Sequence, residues 1–179
     1  MLMVALVALT GTAVMAQDEE PPTDTKKPAV KKAKKAGTSE VAKAVKKASP
    51  VQQGKLNPNA KCYVYLQSAS WCPPCRAEMP NIVKAYKEMK AAGVEVILCG
   101  CDGDKAGVKG YIKAFKIPFC AVVADKKLSL PGFKHSRSVP HATFVDRNGK
   151  VLRDGHGSIT LDWKSVVDKI PDEEEESAE

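Results

Sequence analysis

The sequence predicts an α/β domain: a central mixed five-stranded sheet with helices on both faces. Three observations predict it. Short runs of apolar, aromatic and β-branched residues at Cys62 to Leu66, Val94 to Cys101, Phe119 to Val123, Ala142 to Asp146 and Lys150 to Arg153 read as strands. Segments with apolar residues at helical spacing separate the first three runs, and another follows the last. Strand–helix–strand order brings right-handed parallel crossovers, whereas Asn148-Gly149 between the last two runs marks a hairpin.

Each element follows from its residues. Val51 to Asn59, with Gly54 and Pro58, reads as a lead-in loop, and Cys62 to Leu66 as a buried strand. The next helix starts near Pro73, whose missing N–H would have no partner in a first turn. Met79, Ile82, Val83, Tyr86 and Met89 line one side of it, Lys84, Lys87, Glu88 and Lys90 the other. Pro80 is expected to kink this helix and Gly93 to end it. Val94 to Cys101 is apolar but for one charge, as a central strand covered on both faces requires. Asp104 is placed to cap a helix whose apolar face is Val108, Tyr111, Ile112 and Phe115, and Pro118 closes that region. Lys126 to Ser138 reads as irregular chain around Pro131-Gly132. Thr160 is expected to cap a last helix that turns Trp163, Val166, Val167 and Ile170 inward before Pro171.

The expected organisation is a signal peptide at 1–16, a disordered Lys/Ala-rich linker at 17–50, the α/β domain at 51–171 and an acidic disordered tail at 172–179. Met1 to Ala16 is almost wholly apolar and ends in Val14-Met15-Ala16, which suits cleavage before Gln17, although no Lys or Arg precedes the apolar run. No Cys follows the expected cut, so a lipid-anchored form is not expected. The implied location is exported, in the periplasm or cell envelope. The net charge of +7 is unevenly spread: residues 26–50 carry nine Lys against Glu40 alone. Such a segment has too little apolar surface to offset its chain entropy. Lys26 to Lys47 reads as a solvated spacer, with weak contact to an anionic surface as the functional alternative; no specific nucleic-acid partner is expected.

The chemistry concentrates in Ser70-Trp71-Cys72-Pro73-Pro74-Cys75-Arg76, where the first strand gives way to a helix. Two thiols three positions apart on a first helical turn can close and reopen a disulfide. Cys72, expected to be exposed at the helix tip, lies where the helix dipole favours a thiolate, the nucleophile of disulfide exchange. Cys62, Cys99, Cys101 and Cys120 fall in expected strands and read as buried filler, with an auxiliary redox role left open. A metal site would need Cys72 and Cys75 with one of Cys99, Cys101, His135, His141 or His156. No second CxxC and no HxxxH exists to complete it, so no metal is expected, and no cofactor. His135 and His156 read as surface loop residues, while His141, which follows Pro140, is expected to border the substrate groove.

The stretch from Ser68 to Pro80 (SASWCPPCRAEMP), set after the first strand, resembles the thioredoxin fold and within it the exported TlpA/ResA-type oxidoreductases. Its SASWCPPCR portion is also similar to tryparedoxins and nucleoredoxins. The resemblance covers Lys61 to Ile170, about two-thirds of the chain. It implies Cys72 as attacking thiol, Cys75 as resolving thiol, and Trp71 as a shield over the disulfide that also contributes to the docking surface. It further implies that Val139-Pro140 is the substrate-facing loop with a cis proline, and that the sheet runs, by first residue, Phe119, Val94, Cys62, Ala142, Lys150. Glu78 matches an acidic residue near the dithiol in that branch; from the residues alone, a solvent-facing position is equally compatible. Leu66 stands where thioredoxin has a buried Asp, so proton handling for Cys75 must come from Glu78, water or another group. Implied partners are cysteine-containing protein substrates and a membrane thiol–disulfide electron donor, with reduction of protein disulfides as the favoured direction. The alternatives are a disulfide-forming oxidase on the same site and a non-enzymatic envelope protein bound to an anionic surface through its Lys-rich arm.

Overall fold

The computed structural model describes residues 38–170. The expected signal peptide, the linker up to residue 37 and the acidic tail lie outside the described residues.

Strand β1 (Cys62–Ser68) runs parallel to β2 (Val94–Gly100), which runs parallel to β3 (Cys120–Val123). On its other side β1 pairs antiparallel with β4 (His141–Asp146), and β4 with β5 (Val151–His156). The order β3-β2-β1-β4-β5 is the one that the resemblance implies. Asp146 Oδ1 accepts from the N–H groups of Asn148 and Lys150 at 2.8 Å, and Gly149 takes φ +91°, closing the hairpin that Asn148-Gly149 predicts.

Alternation along β1 separates two cores. Cys62, Val64 and Leu66 pack with Met79, Ile82, Tyr86 and Met89 of α2 (Pro73–Ala91) and with Val108 and Tyr111 of α3 (Lys105–Phe115). Trp163 and Val166 of α4 (Trp163–Val167) join the same core. Asp104 caps α3 as expected, accepting from Gly107 N at 2.8 Å. The one charge in β2, Glu95, is fully buried and satisfied by Tyr86 Oη, by Asn57 N at 2.9 Å and by Lys90 Nζ at 3.0 Å.

All three helices expected from the sequence therefore serve one core. The other face, with Tyr63, Tyr65, Ile97 and Val145, is covered by a helix inside the expected linker, α1 (Glu40–Lys47), and by Leu130 of the irregular segment. This corrects the linker boundary at 50. Val41, Ala42 and Val45 are fully buried, and Ser39 Oγ caps the helix by accepting from Ala42 N at 3.0 Å while bonding Tyr63 Oη at 2.7 Å. An eight-residue helix is marginal alone. Here the sheet supplies the apolar partner that the segment lacks by itself. A second correction concerns Thr160: it does not cap a helix but lies buried within a 3₁₀ helix, Gly157–Asp162, that precedes α4. The cap belongs to His156, whose Nδ1 accepts from Ser158 N at 3.2 Å. Among the described residues no helix is long and apolar enough to cross a membrane.

Candidate active site

The site forms at the C-terminal end of β1, where Ala69 to Trp71 turn the chain into α2. Cys72 is the N-cap residue, and Pro73 and Pro74 occupy the first two helical positions without bringing N–H groups. The helix continues unbroken past Pro80 to Ala91. Cys72 and Cys75 are unbridged thiols. Contrary to the expected exposure, Cys72 is only 4% accessible and Cys75 1%. Trp71 is 66% exposed, and its indole N–H donates to Cys101 O at 3.3 Å.

The Val139-Pro140 peptide is cis, as the resemblance implies, and Val139 O lies 3.4 Å from Cys72 Sγ as the acceptor of its thiol hydrogen bond. The loop before β4 and the tip of α2 are thus in direct contact. Cys75 lies deeper. Burial, seconded by a hydrogen bond with the Cys72 thiol, pushes its thiol up to about 11, against a weaker opposing bond from Ser68. Ser68 Oγ is bonded to Tyr111 Oη at 2.9 Å, and Tyr111 Oη also donates to Cys75 O at 3.4 Å.

Glu78 is half-buried rather than fully solvent-facing. Its Oε2 is buried without a hydrogen-bond partner, while Oε1 lies 3.5 Å from His156 Nδ1. Burial raises the Glu78 carboxyl above its ordinary range, with His156 opposing the rise. Gly157 N donates to Pro140 O at 3.0 Å, which fixes the end of β5 against the cis-proline loop. His156 is therefore exposed, as expected, but belongs to the flank of the site. His141 pairs with Asp154 Oδ1 at 2.9 Å, and His135 packs on Phe133 away from the dithiol cluster.

The remaining cysteines divide. Cys62 and Cys120 are buried on opposite faces, and burial pushes both up to about 12; Cys99 is raised well above the ordinary range for the same reason. Cys101 departs from the filler expectation: it follows β2, is half-buried and packs against the cluster of Ala69, Cys72 and Cys75. Next to it, Asp102 Oδ1 accepts from Ser70 N at 2.8 Å and Ser70 Oγ at 2.6 Å, pinning the turn before Cys72. Asp102, Tyr111, His156 and Gly157 escape a reading of the sequence. An acidic residue just past a central strand, with Ser70 just past its neighbour, is the one signal that points to the Asp102 tie. Among the described residues, no three His, Cys, Asp or Glu side chains cluster as metal ligands would.

This geometry holds a dithiol against a peptide loop, with Cys72 in contact with the loop and Cys75 behind it, the arrangement that stepwise disulfide exchange uses. Thiol-disulfide oxidoreductase ResA of Oceanobacillus iheyensis is 33% identical over 94 residues, covering 52% of this chain and 48% of that protein. ResA of Bacillus cereus is 32% identical over 83 residues, covering 46% and 47%. The chain spans about half the length of the curated relatives it matches. Among solved structures, native tryparedoxin I from Crithidia fasciculata aligns with a TM-score of 0.54 at 27% identity, over 74% of this chain and 97% of that one. The Redoxin family matches residues 25–167, which takes in α1, the dithiol and the cis-proline loop, and the chain belongs to that family.

Proposed function

We propose that this protein is an exported thiol–disulfide oxidoreductase that reduces protein disulfides through Cys72 and Cys75. The observation that carries the proposal is the contact between Cys72 Sγ and Val139 O, 3.4 Å, across the cis-proline loop. A substrate cysteine peptide lying along Val139 and Pro140 would meet Cys72 first. Cys72 attacks the substrate disulfide, forming a mixed disulfide and releasing one substrate thiolate. Cys75 then loses its proton and attacks Cys72, which frees the second substrate thiol and leaves a Cys72–Cys75 disulfide. Trp71 offers apolar docking surface beside the sulfur, and Glu78 is the base nearest along the helix to Cys75.

Two features favour reduction over disulfide formation. Strong oxidants of this chemistry owe their potential to a stabilised thiolate form. Here two prolines replace N–H donors at the helix start, and burial holds Cys75 as a thiol. A reductase leaves each cycle oxidised, so it requires a thiol–disulfide donor; with an exported chain that donor is a membrane protein, and the clients are cysteine-containing proteins. The export part of the proposal rests on the apolar Met1 to Ala16 segment.

The test is insulin reduction by the full chain with dithiothreitol as donor, beside Cys72→Ser and Cys75→Ser. The expected result is turnover by the wild type, none by Cys72→Ser, and a trapped insulin adduct on Cys75→Ser. Turnover that survives Cys72→Ser would overturn the assignment. A measured Cys72–Cys75 potential close to about −120 mV rather than about −270 mV would instead support the oxidase reading.

A further inference from the structure

We infer that His156 is a positioning residue at the solvent end of a proton relay that runs from Cys75 through Glu78. The inference rests on the dithiol chemistry proposed above and adds the group that carries the proton away. To resolve the mixed disulfide, Cys75 must give up a proton inside the fold, at a site 1% accessible. Glu78 is one helical turn further along α2, at the spacing where side chains neighbour each other. Its Oε2 is buried and unpartnered, and its Oε1 faces His156 Nδ1 at 3.5 Å, long for a hydrogen bond, as catalytic contacts in substrate-free sites often are.

The histidine is oriented for this exchange. Ser158 N donates to Nδ1 at 3.2 Å, so the neutral ring carries its proton on Nε2, and the single Nδ1 lone pair lies between Ser158 N–H and Glu78. A protonated Glu78 therefore faces an acceptor. Its O–H bond breaks as an N–H bond forms at Nδ1, which releases the Ser158 N–H hydrogen bond, and the Nε2 proton leaves to water. One proton travels from Cys75 to solvent and no electrons move. The His156 side chain is 57% exposed against 21% for Glu78, which gives the relay its outlet.

The close approach is built into the backbone. A Cβ at Gly157 would meet Pro140 Cβ at 2.5 Å and Glu78 Oε2 at 2.9 Å, so glycine lets the end of β5 close on both the carboxylate and the cis-proline loop. The charged and titratable groups facing His156 are Glu78 from α2 and, across the sheet, its β4 partner His141. His141 is already held by Asp154 of β5 at 2.9 Å. Within its own segment the ring meets Ser158 Oγ at 3.1 Å.

The experiment compares insulin reduction from about pH 5.5 to about pH 8.5, across the range where a histidine titrates, for wild type, His156→Gln and His156→Ala. Alongside it, the His156 ring is titrated by NMR in wild type and Glu78→Gln. Expected are a loss of about tenfold in rate at neutral pH for both His156 variants, smaller than the about 10²-fold supplied by a group that takes the proton directly. The part of the pH dependence that His156 contributes should disappear with it. Glu78→Gln should move the His156 titration to lower pH, because a neighbouring carboxylate favours the charged ring. A wild-type profile superimposed on those of both His156 variants, full rescue by His156→Gln, or an unmoved His156 titration overturns the relay while leaving the dithiol reading intact. Absence of wild-type turnover overturns the dithiol reading and the relay with it.

Discussion

At Gly157 the chain has no room for a methyl group, and the two atoms in the way belong to the site. Gly157→Ala is expected to cost about 1–3 kcal/mol, the usual range for an overpacked position, measured by urea unfolding. It should also slow insulin reduction, because relief of the clash parts Pro140 from Glu78. Gly110→Ala on α3, where a Cβ meets nothing within 4 Å, is the control and should stabilise by about 0.5–1 kcal/mol. A second expectation concerns Cys75. In reduced Cys72→Ser protein its burial, the larger of the causes that raise it, persists. Alkylation of Cys75 should therefore be slow at neutrality and still rising at about pH 10, where an unperturbed thiol has levelled off. Levelling by about pH 9 would contradict it. Which site residues a sequence discloses follows from how they meet. Cys72, Cys75, Trp71 and Glu78 share one continuous stretch, and Pro140 carries its own backbone signature. Asp102, Tyr111 and His156 reach the site from three separate elements, so their proximity exists only once the sheet has formed.

Among the elements, α1 carries the clearest test. Its buried apolar content is three small side chains, Val41, Ala42 and Val45, among lysines, which composition alone reads as a solvated arm. The end signals were nevertheless present: Ser39 as cap, Glu40 in the first turn, Lys46 and Lys47 in the last, and Val41 with Val45 one turn apart. What the sequence could not reveal is the exposed apolar face of Tyr63, Tyr65 and Ile97, a product of strand pairing that makes a short helix pay its entropy. Ser39→Ala removes both the cap and the partner of the buried Tyr63 hydroxyl, and should cost about 1–2 kcal/mol. Val45→Ala should cost about 1–3 kcal/mol, as loss of most of a fully buried valine does. Both are read from urea midpoints. Truncation at residue 50 should give a lower midpoint than truncation at residue 37; equal midpoints for the two truncations would mean that α1 contributes nothing. The last helix turns Trp163 and Val166 inward as expected, and only its start differs: Thr160, read as the cap, lies inside the preceding 3₁₀ helix, which His156 caps.

For the whole molecule, the strands were legible because each is a self-contained pattern, whereas their order in the sheet came from the resemblance. The same buried strands carry Cys62, Cys99 and Cys120, and these thiols give the fold a weakness toward alkali. In the unfolded chain they ionise near about 8.5. In the folded chain burial holds Cys62 and Cys120 up to about 12, Cys75 up to about 11, and Cys99 well above the ordinary value. The folded state therefore binds more protons than the unfolded state between these limits, and stability falls as pH rises. It is fully present below about pH 8.5 and is lost progressively toward about pH 12, at up to about 1.4 kcal/mol per cysteine per pH unit. Buried Tyr63, Tyr65, Tyr86 and Tyr111 are raised by burial as well, but unfolded tyrosine ionises only near about pH 10. The interval from about pH 8.5 to about pH 10 thus isolates the thiols. Under a reductant that keeps all thiols free, the urea midpoint should drop steadily across that interval. In Cys62→Ala/Cys120→Ala, destabilised at every pH by its lost sulfur atoms, the drop should be markedly shallower. Equal slopes for the two proteins would show that the strand thiols ionise in the folded chain as readily as in the unfolded one.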